Sequence, residues 1–368
     1  MNAQSLPCQQ AHKPLEAVRI VYLYIIIMSA LAHTEALAQP YSHTLMCYNV
    51  ENLFDTTDDP ATEDEDFLPE GKNLWSYKRY RRKLERIAQV VSRAGGLSWP
   101  TFVGLIEVEN ADTLRDLLKF TSLRKAGYDY AITQSLDPRG IDVALLYRRE
   151  LFELKALVEY PIHFEGHPHK TTRNLLQVSG ILAGKHLVNL LVCHMPSRRE
   201  GARASEGFRR TVARRLREVC DSLYQGQQGQ GHFVVMGDFN GSPEEVATRT
   251  DLGASLTIPE DYLDQSAETL RLYNAFASLE GGASPRGSYC FRGVWEQLDQ
   301  IILSESLLVS SSPLRYRHGS ARNYCPSYLG REPRQGGYLV PWRTYAGAHY
   351  QGGYSDHYPI LIELLVEE

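Results

Sequence analysis

The sequence predicts a single α/β domain, on two kinds of evidence. Several segments are apolar at consecutive positions, as in Leu187 to Cys193, which is typical of strands covered on both faces of a sheet. Three other segments repeat apolar residues every three or four positions, as amphipathic helices do. The chain has 368 residues and shows neither an internal repeat nor a low-complexity linker, so one large domain is favoured over two smaller ones.

The apolar patterns place the elements along the chain. Helices are expected over Tyr77 to Arg93, Ala111 to Ala126 and about Ser205 to Tyr224. Strand-like runs follow the same reasoning, and they are Leu45 to Tyr48, Phe102 to Ile106, Asp142 to Tyr147, Leu175 to Leu182, Leu187 to Cys193, Phe233 to Met236, Ile301 to Leu303 and Tyr358 to Ile362. The stretch from Ser310 to Gly353 is rich in Gly, Tyr, Arg, Pro and Ser without a period, which indicates either a functional loop or a disordered one.

The N-terminus has the pattern of a secretory signal peptide over residues 1–38. Lys13 and Arg19 precede an apolar run over 20–28, and Ala36-Leu37-Ala38 then provides a small-x-small cleavage site. Cleavage near Ala38 would leave an exported chain, in the periplasm or outside the cell. The alternatives are an uncleaved membrane anchor or a start site upstream of the true one.

Composition and cysteine usage exclude few classes of protein. The formal net charge of −5 counts weakly against a tight non-specific nucleic-acid binder but allows a local basic patch. Five cysteines follow the presequence, so at least one thiol stays unpaired within the chain. Cys290 and Cys325, in loop-rich sequence, are the best disulfide candidates, whereas Cys47 and Cys193 lie in strand-like runs and are expected to be buried thiols.

Polar residues follow the apolar runs in a recurring way. Val234 to Met236 leads through Gly237 to Asp238 and Asn240, whose side chains point in the same direction at the end of an extended strand. A carboxylate that activates water, beside an amide that orients it, suits phosphate-ester hydrolysis. For this segment alone, a strand end capped by turn-forming residues is an equally good interpretation. Other strand ends carry comparable residues, namely Asn49, Glu51, Glu107, His194, Asp299, Asp356 and His357.

This ordered set resembles the endonuclease/exonuclease/phosphatase superfamily, which includes deoxyribonuclease I, abasic-site endonucleases, sphingomyelinases and inositol polyphosphate 5-phosphatases. The resemblance covers roughly residues 42 to 366. It implies a four-layer α/β/β/α sandwich, in which two packed mixed sheets are flanked by helices. Single tripeptides such as Ser355-Asp356-His357 would be weak evidence, whereas the whole ordered set is strong.

The resemblance also implies a metal site. Glu107 is the first choice for the ligand of a hard cation such as Mg²⁺, with Mn²⁺ or Ca²⁺ as possible substitutes. Asn49 and Glu51 are expected nearby, and Asp356 is a further candidate ligand. Glu109 is expected to point in the same direction as Glu107 and is the second choice for the same metal ligand.

By the same resemblance, five residues are expected to act on the substrate. Asp238 should deprotonate the attacking water, and Asn240 should hold water or a phosphate oxygen. His357 should contact the scissile phosphate, and Asp299 should bind its other ring nitrogen and fix its orientation. His194 is a candidate for protonating the leaving oxygen.

Three arginines are candidates for binding substrate phosphates. Arg173 begins a strand-like run at a position that often faces the site in this superfamily, and Arg198 and Arg199 follow His194 directly. Arginine binds phosphate bidentately, which suits this place, although a solvent-facing turn held by salt bridges is the alternative. Asp142 matches a strand start near the site, and its role is unknown.

The sequence therefore predicts an exported, Mg²⁺-dependent phosphodiester hydrolase, with an endonuclease as the leading hypothesis. Nucleic acid is the expected substrate, and no stable protein partner is implied, so a monomer is expected. The alternative is a phosphatase or a phospholipase or sphingomyelinase-like enzyme, for which an aromatic lip could come from Tyr328, Tyr338, Trp342 and Tyr345. A third hypothesis is an inactive binding protein on the same scaffold, against which the complete set of candidate ligands argues.

Overall fold

The three predicted helices are present: α1 Tyr77–Ala94, α2 Ala111–Phe120 and α3 Ala202–Gly226. A computed structural model describes residues 41–199, 201–257, 269–279, 285, 287–333 and 337–367. The predicted signal peptide over 1–38 lies outside the described residues. Within the described ranges, no helix combines the length and the hydrophobicity needed to cross a membrane.

The second helix ends earlier than its sequence pattern indicated. Thr121 has extended backbone angles (φ −119°, ψ −175°), and its hydroxyl accepts a hydrogen bond from Leu123 N at 3.2 Å. The chain therefore restarts as a short 3₁₀ helix, Ser122–Lys125, because the hydroxyl caps a new turn. Other short helical turns are Glu65–Phe67, Ala247–Asp251 (π), Glu305–Leu307 and Ser327–Leu329.

Twenty strands form the sheets of the described chain. They are β1 Tyr41–Leu53, β2 Phe102–Val108, β3 Tyr128–Ile132, β4 Asp142–Arg148, β5 Phe152–Tyr160, β6 Leu175–Leu182, β7 His186–His194, β8 His232–Asp238, β9 Ala254–Ser255, β10 Leu272–Asn274, β11 Tyr289–Phe291, β12 Val294–Glu296, β13 Asp299–Ser304, β14 Leu314–Tyr316, β15 Arg322–Asn323, β16 Gly330–Arg331, β17 Val340–Pro341, β18 Tyr345–Ala346, β19 His349–Tyr350 and β20 Ile360–Val366. The sequence patterns missed β5, an edge strand that is largely exposed and carries charged residues among its apolar ones.

Most strands belong to two large mixed sheets. The first has the order β14-β20-β1-β2-β4-β3, with β15 also beside β20, and the second has the order β5-β6-β7-β8-β13-β10-β9. The strand pairs β1/β2 and β7/β8 are parallel, so the C-terminal ends of each pair emerge together. Three two-stranded hairpins, β11-β12, β16-β17 and β18-β19, complete the described sheet structure.

Three apolar layers hold the elements together. Side chains of both sheets, such as Phe102 and Val192, meet in a shared core between the sheets. The outer face of the first sheet packs against α1 and α2, and the outer face of the second packs against α3, where Leu216 and Val219 are buried. The architecture is the predicted four-layer α/β/β/α sandwich.

The pattern-free stretch after Ser310 is ordered by contacts with α1. Arg79, Arg86 and Arg93 are spaced one heptad apart, and their guanidiniums lie 4.4, 4.3 and 4.8 Å from the ring centroids of Tyr350, Tyr354 and Tyr328. Such cation–π contacts use basic residues on the polar face of α1. The strands of this segment, β14 to β19, are only two or three residues long, so they leave no clear period in the sequence.

The two disulfide candidates, Cys290 and Cys325, do not pair with each other. Both cysteines are free, and Cys325 Sγ instead donates to Asn323 O at 3.6 Å. Cys47 and Cys193 are free and buried, as predicted.

Candidate functional site

Strand ends of both sheets meet in one open cleft of about 1020 Å³. Asn49 and Glu107 come from the first sheet, and His194 and Asp238 come from the second. The predicted site residues that line the cleft are Asn49, Glu51, Glu107, His194, Arg198, Arg199, Asp238, Asn240, Asp356 and His357. The polar residues at separate strand ends therefore lie together in one cleft, as the sequence predicted.

The backbone at the cleft is strained at four non-glycine positions. Glu51, Asn52, Glu107 and Asn240 have φ values of 53°, 58°, 68° and 49°. Such left-handed residues cost free energy and persist where the surrounding fold imposes them, often at functional sites. The turn at Glu107 also breaks the alternation of side chains, so Glu109 does not follow its direction. Glu109 does not line the cleft, and its carboxylate accepts a hydrogen bond from Asp55 N at 2.6 Å. It is therefore not an alternative metal ligand to Glu107.

Asp238 lies at the centre of the site. Its Oδ2 accepts from Asn49 Nδ2 at 3.0 Å, and its Oδ1 accepts from Asn240 N at 2.8 Å. The same Oδ2 lies 3.7 Å from His194 Nε2 and 4.0 Å from His357 Nε2. Burial, with Asp299 nearby, raises the pKa of Asp238 to about 6, although His357 acts in the opposite sense. A carboxylate with this pKa is ionised at neutral pH and can accept a proton.

Asp299 and His357 are in direct contact. His357 Nδ1 lies 2.6 Å from Asp299 Oδ2, and that oxygen also accepts from Ser288 Oγ at 2.5 Å. Burial alone would lower the pKa of His357, but the contact with Asp299 outweighs it and the pKa is raised well above its usual range. The ring of Tyr289 lies 4.8 Å from that of His357, centroid to centroid. Sequence reasoning missed Ser288 and Tyr289, because only the folded chain brings them beside this pair.

His194 has the opposite electrostatic character. It is buried, and its Nε2 lies 4.0 Å from Glu107 Oε1. Burial, followed by the positive charge of Arg173, lowers the pKa of His194 well below its usual range. A neutral imidazole can donate or accept one hydrogen bond but is a poor general acid. This counts against the expectation that His194 protonates the leaving oxygen.

Among the candidate metal ligands, Glu107 and Asn49 have free acceptor capacity. Glu107 Oε2 accepts from Asn52 N at 3.0 Å, whereas its Oε1 makes no hydrogen bond within the described chain. Asn49 Oδ1 accepts one bond from Glu51 N at 3.0 Å and keeps a second lone pair. A carboxylate and an amide oxygen fit the donor set that Mg²⁺ prefers. The buried group Asp238, Asp299 and His357 also brings possible ligand atoms within 4.8 Å of one another.

Glu51 and Asp356 are instead held by groups of this chain. Arg343 Nη2 donates to Asp356 Oδ2 at 2.5 Å, and Arg343 Nε lies 3.5 Å from Glu51 Oε1. Thr344 N donates to Glu51 Oε2 at 2.5 Å. The two acids that the sequence assigned to the metal are therefore compensated by Arg343, which sequence reasoning did not single out.

Lys83 is a second cation that the sequence analysis missed. It is fully buried in α1, where its Nζ donates to Thr344 Oγ1 at 2.5 Å and to Tyr354 O at 2.8 Å. Burial lowers the pKa of Lys83 to about 8, whereas burial and then Asp356 raise the pKa of Glu51 to about 7. The burial of Lys83 could have been predicted from its place in the sequence, because it adjoins Leu84 of the apolar stripe of α1.

The three predicted phosphate-binding arginines lie in different places. Arg173 is buried beneath the cleft, where it donates to Asp137 Oδ2 at 2.9 Å and to the carbonyls of His194 and Met195. This corrects the expectation that Arg173 faces substrate, because its guanidinium braces the turn after β7. Arg198 and Arg199 line the cleft, and Arg198 is paired with Glu296 at 2.7 Å.

Two further predictions change in the structure. Asp142, whose role was open, accepts hydrogen bonds from Thr133 Oγ1 (2.5 Å) and Ser135 N and so ties a strand end to the preceding loop. Only Tyr345 among the four residues of the predicted aromatic lip lines the cleft. Trp342 packs towards α1, where Arg86 lies 5.1 Å from its ring, so the continuous lip is absent.

The comparisons with known proteins agree with this fold. The model of the Endonuclease/Exonuclease/phosphatase family matches residues 44–366. No curated protein matches the sequence.

Solved structures share the fold at low identity. An endonuclease/exonuclease/phosphatase family protein from Bacteroides thetaiotaomicron aligns with TM-score 0.53 and 17% identity over 90% of this chain and 100% of that one. The human nocturnin catalytic domain aligns with TM-score 0.52 and 17% identity over 88% and 94% of the two chains. A mannosyl-6-phosphatase from Bacteroides thetaiotaomicron aligns with TM-score 0.53 and 16% identity over 88% and 99%. With the family match over most of its length, the chain belongs to the endonuclease/exonuclease/phosphatase family, whose members are phosphoester hydrolases.

Proposed function

We propose that this chain is an exported, Mg²⁺-dependent phosphodiesterase that acts on nucleic acid. The observation that carries the proposal is the arrangement around Asp238, with His194 Nε2 at 3.7 Å and His357 Nε2 at 4.0 Å from one carboxylate oxygen. Two histidines, a buried carboxylate and the free Glu107 oxygen face one open cleft. In-line hydrolysis of a phosphodiester needs these groups in such an arrangement.

The charges of Asp238, His357 and His194 assign each of them a different part in the reaction. Asp238, ionised at neutral pH, takes a proton from the attacking water as the water oxygen bonds to phosphorus. The bond from phosphorus to the leaving oxygen breaks, and that oxygen takes up a proton. His357, held cationic by Asp299, stabilises the negative charge on the phosphoryl oxygens and carries the proton that neutral His194 lacks.

The remaining residues orient these groups. Asn49 and Asn240 each donate a hydrogen bond to Asp238 and fix the direction of its carboxylate. Glu107 and Asn49 would hold Mg²⁺, which supplies a positive charge for the phosphate oxygens when bound.

Nucleic acid is favoured over a small phosphoester by the open shape of the cleft and by the arginines along it. The cleft is open and large, and arginines line it beyond the reacting groups, namely Arg139, Arg198, Arg199 and Arg343. Flanking phosphates of a polynucleotide would occupy such positions, whereas a small ester has none to offer. The second candidate is a phosphatase for small phosphomonoesters, in keeping with the mannosyl-6-phosphatase whose fold is similar.

A substrate panel tests the proposal. The chain beginning at Gln39 should be assayed with plasmid, single-stranded DNA, RNA, sphingomyelin, inositol phosphates and mannose 6-phosphate, in Mg²⁺ and in EDTA. We expect cleavage of a polynucleotide that EDTA abolishes and that Mg²⁺ or Mn²⁺ restores. Full activity in chelator would refute the metal requirement, and hydrolysis of monoesters alone would favour the second candidate.

The metal ligand has a matched control. Glu107→Gln should weaken Mg²⁺ binding, measured by calorimetry, by roughly tenfold or more, because a ligand charge is lost. Glu109→Gln, in a buried acid that does not line the cleft, should leave Mg²⁺ binding unchanged. Equal weakening in both variants would show a general effect of charge rather than a ligand at Glu107.

A further inference from the structure

Arg343 lies on the first-sheet side of the cleft, as does Arg139 from the connection between β3 and β4. Arg343 contacts Glu51 at the C-terminal end of β1 and Asp356 just before β20, both in the first sheet. Arg198 and Arg199, by contrast, follow β7 of the second sheet. The reacting groups lie where the ends of the two sheets meet, so guanidiniums line the cleft on both sides of them.

The segment that carries Arg343 is firmly anchored. The ring of Trp342 lies between two guanidiniums, with Arg331 at 4.3 Å and Arg86 at 5.1 Å from its centroid. On the other side of Arg343, Tyr345 Oη donates to Asn73 O at 2.9 Å. Buried Lys83 donates a hydrogen bond from its Nζ to Thr344 Oγ1. Because both neighbours are fixed, the guanidinium needs little ordering when a ligand arrives.

The guanidinium still has donors to offer. One N–H of Nη2 is used by Asp356, and within the described chain Nη1 has no hydrogen-bond partner. The side chain remains 41% exposed to the cleft. A planar guanidinium with free donors, held in place by a carboxylate, is well suited to bind a phosphate oxygen.

We propose that Arg343 binds a backbone phosphate next to the scissile one, on the first-sheet side, so that the cleft holds the polymer on both sides of the cut. The inference rests on the proposed nuclease function. The competing explanation is that Arg343 only compensates the charges of Glu51 and Asp356. That explanation predicts a loss of stability and an equal loss of cleavage on every substrate.

Binding without cleavage separates the two explanations. The affinity of a fluorescent single-stranded oligonucleotide should be measured by anisotropy in EDTA at several salt concentrations. Arg343→Ala should weaken binding about fivefold, and it should flatten the slope of log K against log salt by about 0.7, the value for one phosphate contact on a single strand.

Arg322 provides a matched control. Its side chain is 42% exposed, is paired with Glu363 at 3.0 Å and lies in the same part of the chain, but it does not line the cleft. Arg322→Ala should therefore bind the oligonucleotide with wild-type affinity and salt dependence. Arg343→Lys keeps the charge beside Glu51 and Asp356 but loses the planar fork. Arg343→Lys should bind the oligonucleotide about threefold more weakly than the wild type, with the same slope of log K against log salt. If Arg343→Ala does not fold, Arg343→Lys decides between the two explanations.

Cleavage assays complete the test. Arg343→Ala should raise KM for DNA several-fold more than KM for bis-p-nitrophenyl phosphate, because only the polymer offers a phosphate next to the scissile one. If the wild type cleaves DNA but Arg343→Ala binds with the wild-type affinity and slope, or loses equally on both substrates, the inference is wrong and the nuclease proposal stands. If the wild type neither binds nor cleaves a polynucleotide, both proposals fail together.

Discussion

Buried histidines lie at both ends of the strands, and the two groups differ in their partners. At the end far from the cleft, His43 contacts Thr101 Oγ1 and His232 contacts Ser306 Oγ, each at 3.0 Å. Burial, and secondarily His186, lowers the pKa of both His43 and His232 to about 4. At the cleft, His357 is buried and contacts the carboxylate of Asp299, and its pKa is raised well above the usual range.

The difference shows that burial alone does not give a histidine its charge. A hydroxyl partner satisfies a neutral ring, whereas a buried carboxylate stabilises the cation by more than desolvation opposes it. The far-end histidines are therefore structural and neutral, and His357 carries a positive charge towards the cleft. The following experiments test this comparison, from the largest expected effect to the smallest.

Asp238→Asn should lower kcat by roughly 10²- to 10⁴-fold, because the substitution removes the proposed base and keeps its shape. The hydrogen bonds from Asn49 and Asn240 hold a carboxylate at this position. Thermal melting should change little, since burial raises the pKa of Asp238 to about 6 and ionisation there is already costly. Near-normal turnover would mean that the base is assigned wrongly.

His357→Ala and His232→Ala compare the two ends directly. His357→Ala should lower kcat by orders of magnitude, and Asp299→Asn should cost less because it disturbs only the orientation and charge of the ring. His232→Ala should leave kcat near the wild-type value and lower the melting temperature instead. The comparison fails if turnover responds equally to the loss of His232 and of His357.

Lowering the pH should reduce the free energy of unfolding, because burial holds His43 and His232, at the end far from the cleft, in their neutral form. Their folded pKa of about 4 lies below the usual 6.5, so the unfolded chain binds more protons between these values, and stability falls as pH drops from about 6.5 towards 4. The full difference corresponds to at most about 3 kcal/mol per histidine. Denaturant unfolding at pH 7, 5.5 and 4.5 measures the loss.

Replacing both far-end histidines isolates their contribution to acid sensitivity. The double variant His43→Asn and His232→Asn should unfold with a shallower dependence on pH than the wild type. The acids of the cleft titrate identically in both proteins and so cancel in the comparison. An unchanged pH dependence would assign the acid sensitivity to other groups.

The smallest effect is expected at the rim of the cleft. Arg198→Ala with Arg199→Ala should raise KM for DNA several-fold and flatten its salt dependence, because flanking phosphates lose their contacts. Hydrolysis of bis-p-nitrophenyl phosphate should stay nearly unchanged. Measuring kcat/KM for both substrates at two salt concentrations tests this, and equal losses would indicate that these arginines only brace the turn after His194.

Much of the fold followed from local patterns. The stripe of Tyr80, Leu84, Ile87 and Val91 predicted α1 to within one residue, and the mostly apolar run Leu175 to Leu182 located β6 without error. These signals are strong because burial on one or both faces dictates residue type at every position. The exposed edge strand β5 escaped prediction, because only one side of it is paired with another strand and few of its residues are buried.

The sequence by itself determined most of the candidate site residues, since acids, amides and histidines at strand ends are visible as breaks in apolar runs. Asp238, Glu107, His194 and His357 were all found this way, and they share one cleft. The partnership of Asp299 with His357 was expected only from family order.

Tertiary structure alone decided the charge balance of the site. Arg173 lies beneath the cleft, whereas Arg343 and buried Lys83 compensate Glu51 and Asp356. No sequence pattern reports this, because long basic side chains look alike whether they face solvent or a buried acid. Some of the contacts, such as those of Lys83 and Glu51 with Thr344, also join residues more than 250 positions apart. Whether a side chain binds substrate or supports a neighbour depends on where its charged end lies, and only the packed chain fixes that place.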